Sequence, residues 1–307
     1  MKRGGRMSEY HEPVLLEQVV SSLIRSPDGI YVDATFGGGG HARAILSKLS
    51  SKGKLLAFDH DPDSARNVPD DTRLTFIPHN FKHLKRFLQY HQGVPADGIF
   101  ADLGVSSYQF DTPARGFSYR FDGKLDMRMN PTRGVPACDI VNHYSETQLS
   151  DLFYTYGEMP DSRAVARRIV MARANNPLLS TTDLVNAVTT LWLPHKRNGQ
   201  LSRLFQSLRI EVNGELEALR EFLQQSTEVL SIGGRLAVIS YHSLEDRLVK
   251  HFARAGKLDG DIEKDFYGVS LSPFRPVNRK PIEADRDEIE RNPRARSAKL
   301  RIAEKIK

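Results

Sequence analysis

The first hundred residues alternate short apolar runs with stretches of helical spacing. Ile30–Ala34, Lys54–Asp59, Arg73–Ile77 and Ala96–Leu103 read as four buried strands, each bounded by turn residues. Between them the spacing predicts helices from about His41, from Pro62 and over Phe81–His91. Strands separated by helices pair in parallel through right-handed crossovers, so the pattern predicts a doubly wound, Rossmann-like α/β sheet. From Leu103 to Pro136 no period holds, and Gly, Pro, Asp, Ser and Arg dominate. A loop that long in a compact domain is usually functional. Ala137 to about Leu193 is helical only, with Ser145, Asp161 or Ser162, and Thr181 opening helices. The α/β alternation then returns. A helix over Glu215–Leu230 is stopped by Gly233-Gly234, followed by a strand over Arg235–Ser240 and a helix over Leu244–Phe252. Ala255–Asn292 is irregular and polar, and Ser297–Ala303 reads as a last strand closing the sheet edge. The predicted organisation is a sheet domain of residues 1–110 and 214–307, with a helical domain, 111–213, inserted after the fourth strand.

Composition removes several classes. With 307 residues, 39% hydrophobic and 27% charged, the chain is ordinary globular material rather than disordered, collagen-like or coiled coil. Its single cysteine, Cys138, excludes an intramolecular disulfide and a cysteine-based zinc cluster, and fits a reducing, cytoplasmic compartment. No stretch approaches the roughly 20 apolar residues of a membrane span. The basic start, Met1-Lys2-Arg3, lacks the apolar region of a signal peptide, and Met7 is an alternative first residue. Charge is uneven. Arg163–Arg209 carries eight Lys/Arg against one acid, and Arg291–Lys307 seven against one. Such surfaces are either solvated faces or phosphate contacts.

The densest chemistry follows the first strand, where Val32-Asp33-Ala34-Thr35-Phe36 runs into Gly37-Gly38-Gly39-Gly40-His41. Glycines let a backbone approach a ligand closely at a strand-to-helix switch. Asp59 ends the second strand, 20 residues past Gly39, where a carboxylate can accept the ribose hydroxyls of a nucleoside cofactor. Nicotinamide dinucleotides and S-adenosylmethionine both use that placement. Phe81, after the third strand, is either a wall of an adenine slot or core packing. His79 and His83 have an i, i+4 relation without a third ligand, so a metal site is not expected. Asp102 ends the fourth strand and points to the same crevice, with Gln109 just beyond it. Arg128 and Arg133 sit in the long loop, where they either clamp phosphates or pair with Asp126 and Asp122. If one helix runs to Glu217, Gln206, Arg209, Asn213 and Glu217 share a face, which is either solvated or a contact to ligand. His242 follows the fifth strand, as a general base or a structural hydrogen-bonding group.

Eight segments occur in order: His11–Leu16, Asp33–His41, Asp102–Ser107, Arg115–Ser118, Leu125–Met129, Arg203–Asn213, Ser240–Asp246 and Asn292–Ser297. Together they resemble the bacterial 16S ribosomal RNA (cytosine-N4) methyltransferase family of the RsmH or MraW type, over nearly the whole chain. The resemblance implies S-adenosyl-L-methionine as cofactor and the N4 amine of a cytidine in the decoding region as acceptor. It implies cofactor contacts at Gly39, Gly40, His41, Asp59, Phe81, Asp102 and Gln109. Asp102 is the expected catalytic residue, with Arg128, Arg133, Arg209, Asn213 and His242 as substrate-binding residues and no metal. The implied partner is 16S rRNA within the small ribosomal subunit, without a membrane, and with a homodimer left open. Two other classes account for part of the pattern. An NAD-dependent oxidoreductase shares the Gly run and Asp59, and a non-catalytic RNA-binding assembly factor shares the basic segments.

Overall fold

The computed structural model describes residues 13–307. The segment His11–Leu16 therefore lies partly, and Met1 to Met7 wholly, outside the described residues. The chain divides into two compact units, one of residues up to Gly104 together with Ala218–Lys307, the other Val105–Glu217.

The first unit is built on seven strands: β1 Ile30–Asp33, β2 Lys54–Phe58, β3 Leu74–Ile77, β4 Ala96–Asp102, β5 Leu230–Ser240, β6 Phe274–Pro276 and β7 Lys299–Lys305. Their order in the sheet is β3-β2-β1-β4-β5-β7-β6. The first five strands pair in parallel, whereas β7 is antiparallel to both β5 and β6. Strand order reverses between β1 and β4, which places a ligand crevice beyond their carboxyl ends. Alternation along each strand feeds two cores. Val32, Leu56, Phe58 and Ile99 pack on one face with Phe222 and Phe252, while Tyr31, Leu55 and Phe100 pack on the other with Val19 and Ile45.

Three expectations change here. The last strand is not the sheet edge, because the three residues of β6 cap it from within the tract read as irregular. A three-residue strand is too short to show a period. Gly233-Gly234 do not stop a helix; they lie inside β5, beside a register irregularity against β4 between Ala96 and Gly98. After Pro62 the chain makes a 3₁₀ helix, Pro62–Asn67, whose start is capped by Asp61 accepting from the Asp63 amide at 3.0 Å.

The second unit has its own apolar core. Met127, Leu149, Phe153, Val165, Ile169, Leu184, Leu204 and Leu208 come from helices Glu146–Gly157, Ser162–Arg173, Thr181–Val188 and Pro194–Asn213 and from the preceding loop. Ser145 and Ser180 open two of these helices with reciprocal capping boxes, to Gln148 and Asp183. The helix carrying Arg209 ends at Asn213, because Gly214 adopts φ +58, and a new helix starts at Glu215. The condition for a shared polar face from Gln206 to Glu217, one continuous helix, is therefore not met, and the helix start read at Glu215 is observed.

Candidate active site

Four strands of the first unit deliver polar side chains at their carboxyl ends. β1 ends on Asp33, only 1% exposed, whose Oδ1 accepts from the Thr35 amide at 3.1 Å. Its other oxygen, Oδ2, is buried without a hydrogen-bond partner among the described residues. Just past β2, Asp59 accepts from the Gly37 amide at 2.8 Å through Oδ2 and from the Asp61 amide at 2.8 Å through Oδ1. β4 ends on Asp102, whose amide donates to Thr35 Oγ1 at 2.7 Å. Past β5, the Tyr241 hydroxyl donates to Asp102 Oδ1 at 2.8 Å.

These carboxylates resist ionisation. Burial pushes Asp33 up to about 7, aided by the charges of Asp102 and Asp59. Burial likewise raises Asp102 to about 7, with Glu245 adding to the rise and the Tyr241 hydrogen bond opposing it. Asp59 is raised to about 6 by burial, against the pull of its two amide donors.

The glycine loop is tied on several sides. Gly39 sits at φ +75, a conformation that costs other residues roughly 1–2 kcal/mol. A Cβ there would lie 2.8 Å from Phe36 Cζ. Arg43 donates to the Gly38 carbonyl at 2.8 Å and Asn67 to that of Gly37 at 3.1 Å. A Cβ on Gly40 would meet Pro13 Cγ at 2.3 Å. Glycine is required at Gly39 and Gly40 by the protein's own packing.

Several expected site residues have structural occupations. His41 is buried, with Nε2 3.0 Å from the Val14 carbonyl and its ring 4.5 Å from that of Phe100. Burial lowers its pKa to about 4, so it is neutral and donates that bond. Phe81 is half-buried and packs edge-on against Phe222 at 5.3 Å. His79 stacks on Phe87 at 4.4 Å. His242 caps helix Ser243–Ala255: its Nδ1 accepts from the Glu245 amide at 3.4 Å, and its Nε2 lies 3.2 Å from Glu245 Oε1.

The remaining candidates belong to the second unit. Gln109 is buried and closes a capping box with Ser106, its Oε1 accepting from the Ser106 amide at 2.9 Å. Arg128 grips both oxygens of Asp126 at 2.8 and 2.7 Å, so its guanidinium pairs with a carboxylate rather than standing free for a phosphate. Arg209 makes the same two-point contact with Glu215, at 2.8 and 3.0 Å. Asn213 accepts from the Met129 amide at 2.8 Å and donates to the Met127 carbonyl at 2.9 Å, clamping the long loop. Arg133 is exposed.

Tyr241, Glu245 and the orphaned oxygen of Asp33 were missed by reasoning from sequence. A charged residue closing an apolar run directly before a glycine cluster could have exposed Asp33. Nothing local marks Tyr241, since its partner lies 139 residues away.

A mixed sheet whose parallel strands β1, β2, β4 and β5 gather polar groups beyond their carboxyl ends defines a Rossmann-like nucleoside-cofactor protein. The MraW methylase family profile matches residues 8–306, and the chain belongs to that family. The protein named ribosomal RNA small subunit methyltransferase H from Bacteroides fragilis is 53% identical over 296 residues, covering 96% of this chain and 97% of its own. Those of Bacteroides thetaiotaomicron and Flavobacterium johnsoniae carry the same name and are 52% and 53% identical, over 96% and 97% of this chain and 97% and 98% of theirs.

The chain is thus a methyltransferase, with S-adenosylmethionine as its cofactor. The residues present fit that group. Two buried carboxylates, Asp33 and Asp59, whose ionisation burial opposes, suit a ligand that is cationic at sulfur and at its amino group. The unpartnered Oδ2 of Asp33 is a further free acceptor. The same acidic crevice opposes the pyrophosphate of a nicotinamide dinucleotide. Asp59 and the Gly37–Gly40 loop would hold the nucleoside end.

Proposed function

We propose that this methyltransferase modifies the N4 exocyclic amine of a cytidine in the decoding region of 16S rRNA, presented by the small ribosomal subunit. The placement of Asp102 at the sheet's reversal point, with an oxygen not engaged by Tyr241, carries the reading. When bound, S-adenosylmethionine would supply an activated methyl for the N4 lone pair. N4 sheds one proton in becoming a secondary amine. Asp102 accepts the amine's hydrogen bond, localises its lone pair and takes that proton. Asp102 must be ionised to do so, so turnover rises with pH through about 7. Asp33 and Asp59 hold the cofactor, and the glycine loop fixes where it lies.

The Val105–Glu217 unit is the RNA-recognition module in this account. Arg163 and Arg167 are exposed on helix Ser162–Arg173, and Arg168 donates to Thr190 Oγ1 at 2.6 Å. Replacing all three with glutamate should weaken RNA binding at least about tenfold and lower the logarithmic salt slope by about 2–3. Filter binding at several salt concentrations checks this, and an unchanged slope would locate the RNA surface elsewhere. A target base in structured RNA must leave its stack to reach the crevice. The enzyme acts in the cytoplasm; among the described residues no helix is long and apolar enough to cross a membrane. Sedimentation distinguishes a homodimer from a monomer. The reading is tested by offering unmethylated small subunits and naked 16S rRNA side by side with labelled cofactor. Labelling of the subunits is expected. Labelling of neither, with cofactor still bound, would favour a non-catalytic assembly role.

A further inference from the structure

We propose that Tyr241 is a positioning residue for methyl transfer, its hydroxyl holding Asp102 by one carboxylate oxygen and leaving the other for the target amine. This rests on the reading of Asp102 as the amine's acceptor. The sheet brings the two residues together. β4 and β5 run in parallel register with Asp102 opposite Ile239, and Tyr241 follows two residues later. Tyr241 is itself fixed. Its amide donates to Glu245 Oε2 at 2.9 Å, Glu245 is only 2% exposed, and the tyrosine ring packs on the apolar cluster of the sheet. Asp102 is fixed at its amide by Thr35 and at Oδ1 by Tyr241. Among the described residues its Oδ2 has no partner. A carboxylate pinned at one oxygen cannot rotate freely, so the second oxygen is presented at one place.

The hydroxyl also sets the charge of Asp102. The ionisable groups around it are Asp33 at the end of β1, Tyr241 past β5, and Glu245, with His242 beside it, on the following helix. Burial and the Glu245 charge disfavour ionisation of Asp102, whereas the tyrosine donor favours it. Burial and the neighbouring Asp102 charge hold the Tyr241 hydroxyl well above its usual pKa, so it remains a donor at working pH. In the transfer step N4 gains the methyl carbon, sulfur keeps the electron pair of the broken bond, and one N4 proton passes to Asp102. The hydroxyl donates its hydrogen bond throughout and is not consumed.

Tyr241→Phe keeps the ring and removes one donor. Single-turnover transfer to unmethylated small subunits, followed across the neutral pH range, is the test. The acid limb should move up by about one pH unit, and the rate at neutral pH should fall about tenfold. Cofactor affinity and the KM for RNA should stay unchanged. A tyrosine that only supports the fold would lower thermal stability without moving the limb, and that result overturns the inference. If Tyr241→Phe folds poorly, a site-specific fluorinated tyrosine at this position decides. It is a stronger donor, so the limb should move down, and a stationary limb again overturns the inference. Asp102→Asn separates the two layers. Wild-type transfer by Asp102→Asn removes the acceptor reading itself. An inactive Asp102→Asn beside an unmoved limb in Tyr241→Phe removes only the positioning role.

Discussion

Replacing Asp102 with alanine should slow single-turnover methyl transfer by about 10²–10⁴-fold while cofactor affinity stays within about threefold. The size follows from the poverty of the nucleophile. The N4 lone pair is delocalised into the cytosine ring, and attack requires an acceptor that localises it and removes a proton. Asp102 stands where the sheet order reverses, with its amide on Thr35 and Oδ1 on Tyr241. Loss of the carboxylate removes that acceptor and leaves the Tyr241 hydroxyl without its partner. Cofactor affinity is spared because Asp33, Asp59 and the glycine loop remain in place. Calorimetry of cofactor binding beside rapid-quench transfer measures the two effects separately. Weakened binding with an unchanged chemical step would make Asp102 a cofactor ligand only.

Gly39→Val should all but abolish cofactor binding. Valine at φ +75 meets two separate penalties: the left-handed backbone, and a Cβ 2.8 Å from Phe36 Cζ and 3.1 Å from Arg43 Nη1. Relief requires Phe36 or Arg43 to move. Arg43 ties the Gly38 carbonyl and the Asn67 carbonyl, Asn67 ties that of Gly37, and Gly37 donates to Asp59. Displacement at Gly39 therefore reaches the carboxylate that would hold the ribose. We expect a destabilisation of roughly 2–4 kcal/mol. The corresponding fall in melting temperature is about 5–10 °C. Cofactor affinity should fall at least about a hundredfold, since a misplaced loop loses several contacts together. Thermal melts with and without cofactor check this. Near-normal affinity would show that the loop adapts and that its glycines serve packing alone.

The parts of this protein legible in its sequence are those set by local pattern. β1, β2, β3 and β4 are short apolar runs between turn residues, and each falls within a residue or two of its expected ends. The glycine cluster and Asp59 stand out because their placement follows from strand ends. What was hidden depends on distant partners. Asp102 and Tyr241 meet only because β4 and β5 are neighbours in the sheet. Pairing of Arg128 with Asp126, two residues away, is one of the two alternatives the sequence offers, whereas Arg209 meets Glu215 only beyond a helix break. The sequence leaves the break at Gly214 open: a helix from Glu215 requires it, whereas an isolated glycine is also tolerated within a helix at modest cost. The three residues of β6 carry no period and emerge only when β7 offers them an edge.

The most direct test of the central claim is the identity of the methylated nucleoside. Unmethylated small subunits would be treated with enzyme and isotopically labelled S-adenosylmethionine, and the 16S rRNA digested and resolved by mass spectrometry. The account predicts the label in N4-methylcytidine from a single position in the decoding region. Label in a ring-carbon or ribose methyl group, or in a different base, would contradict it.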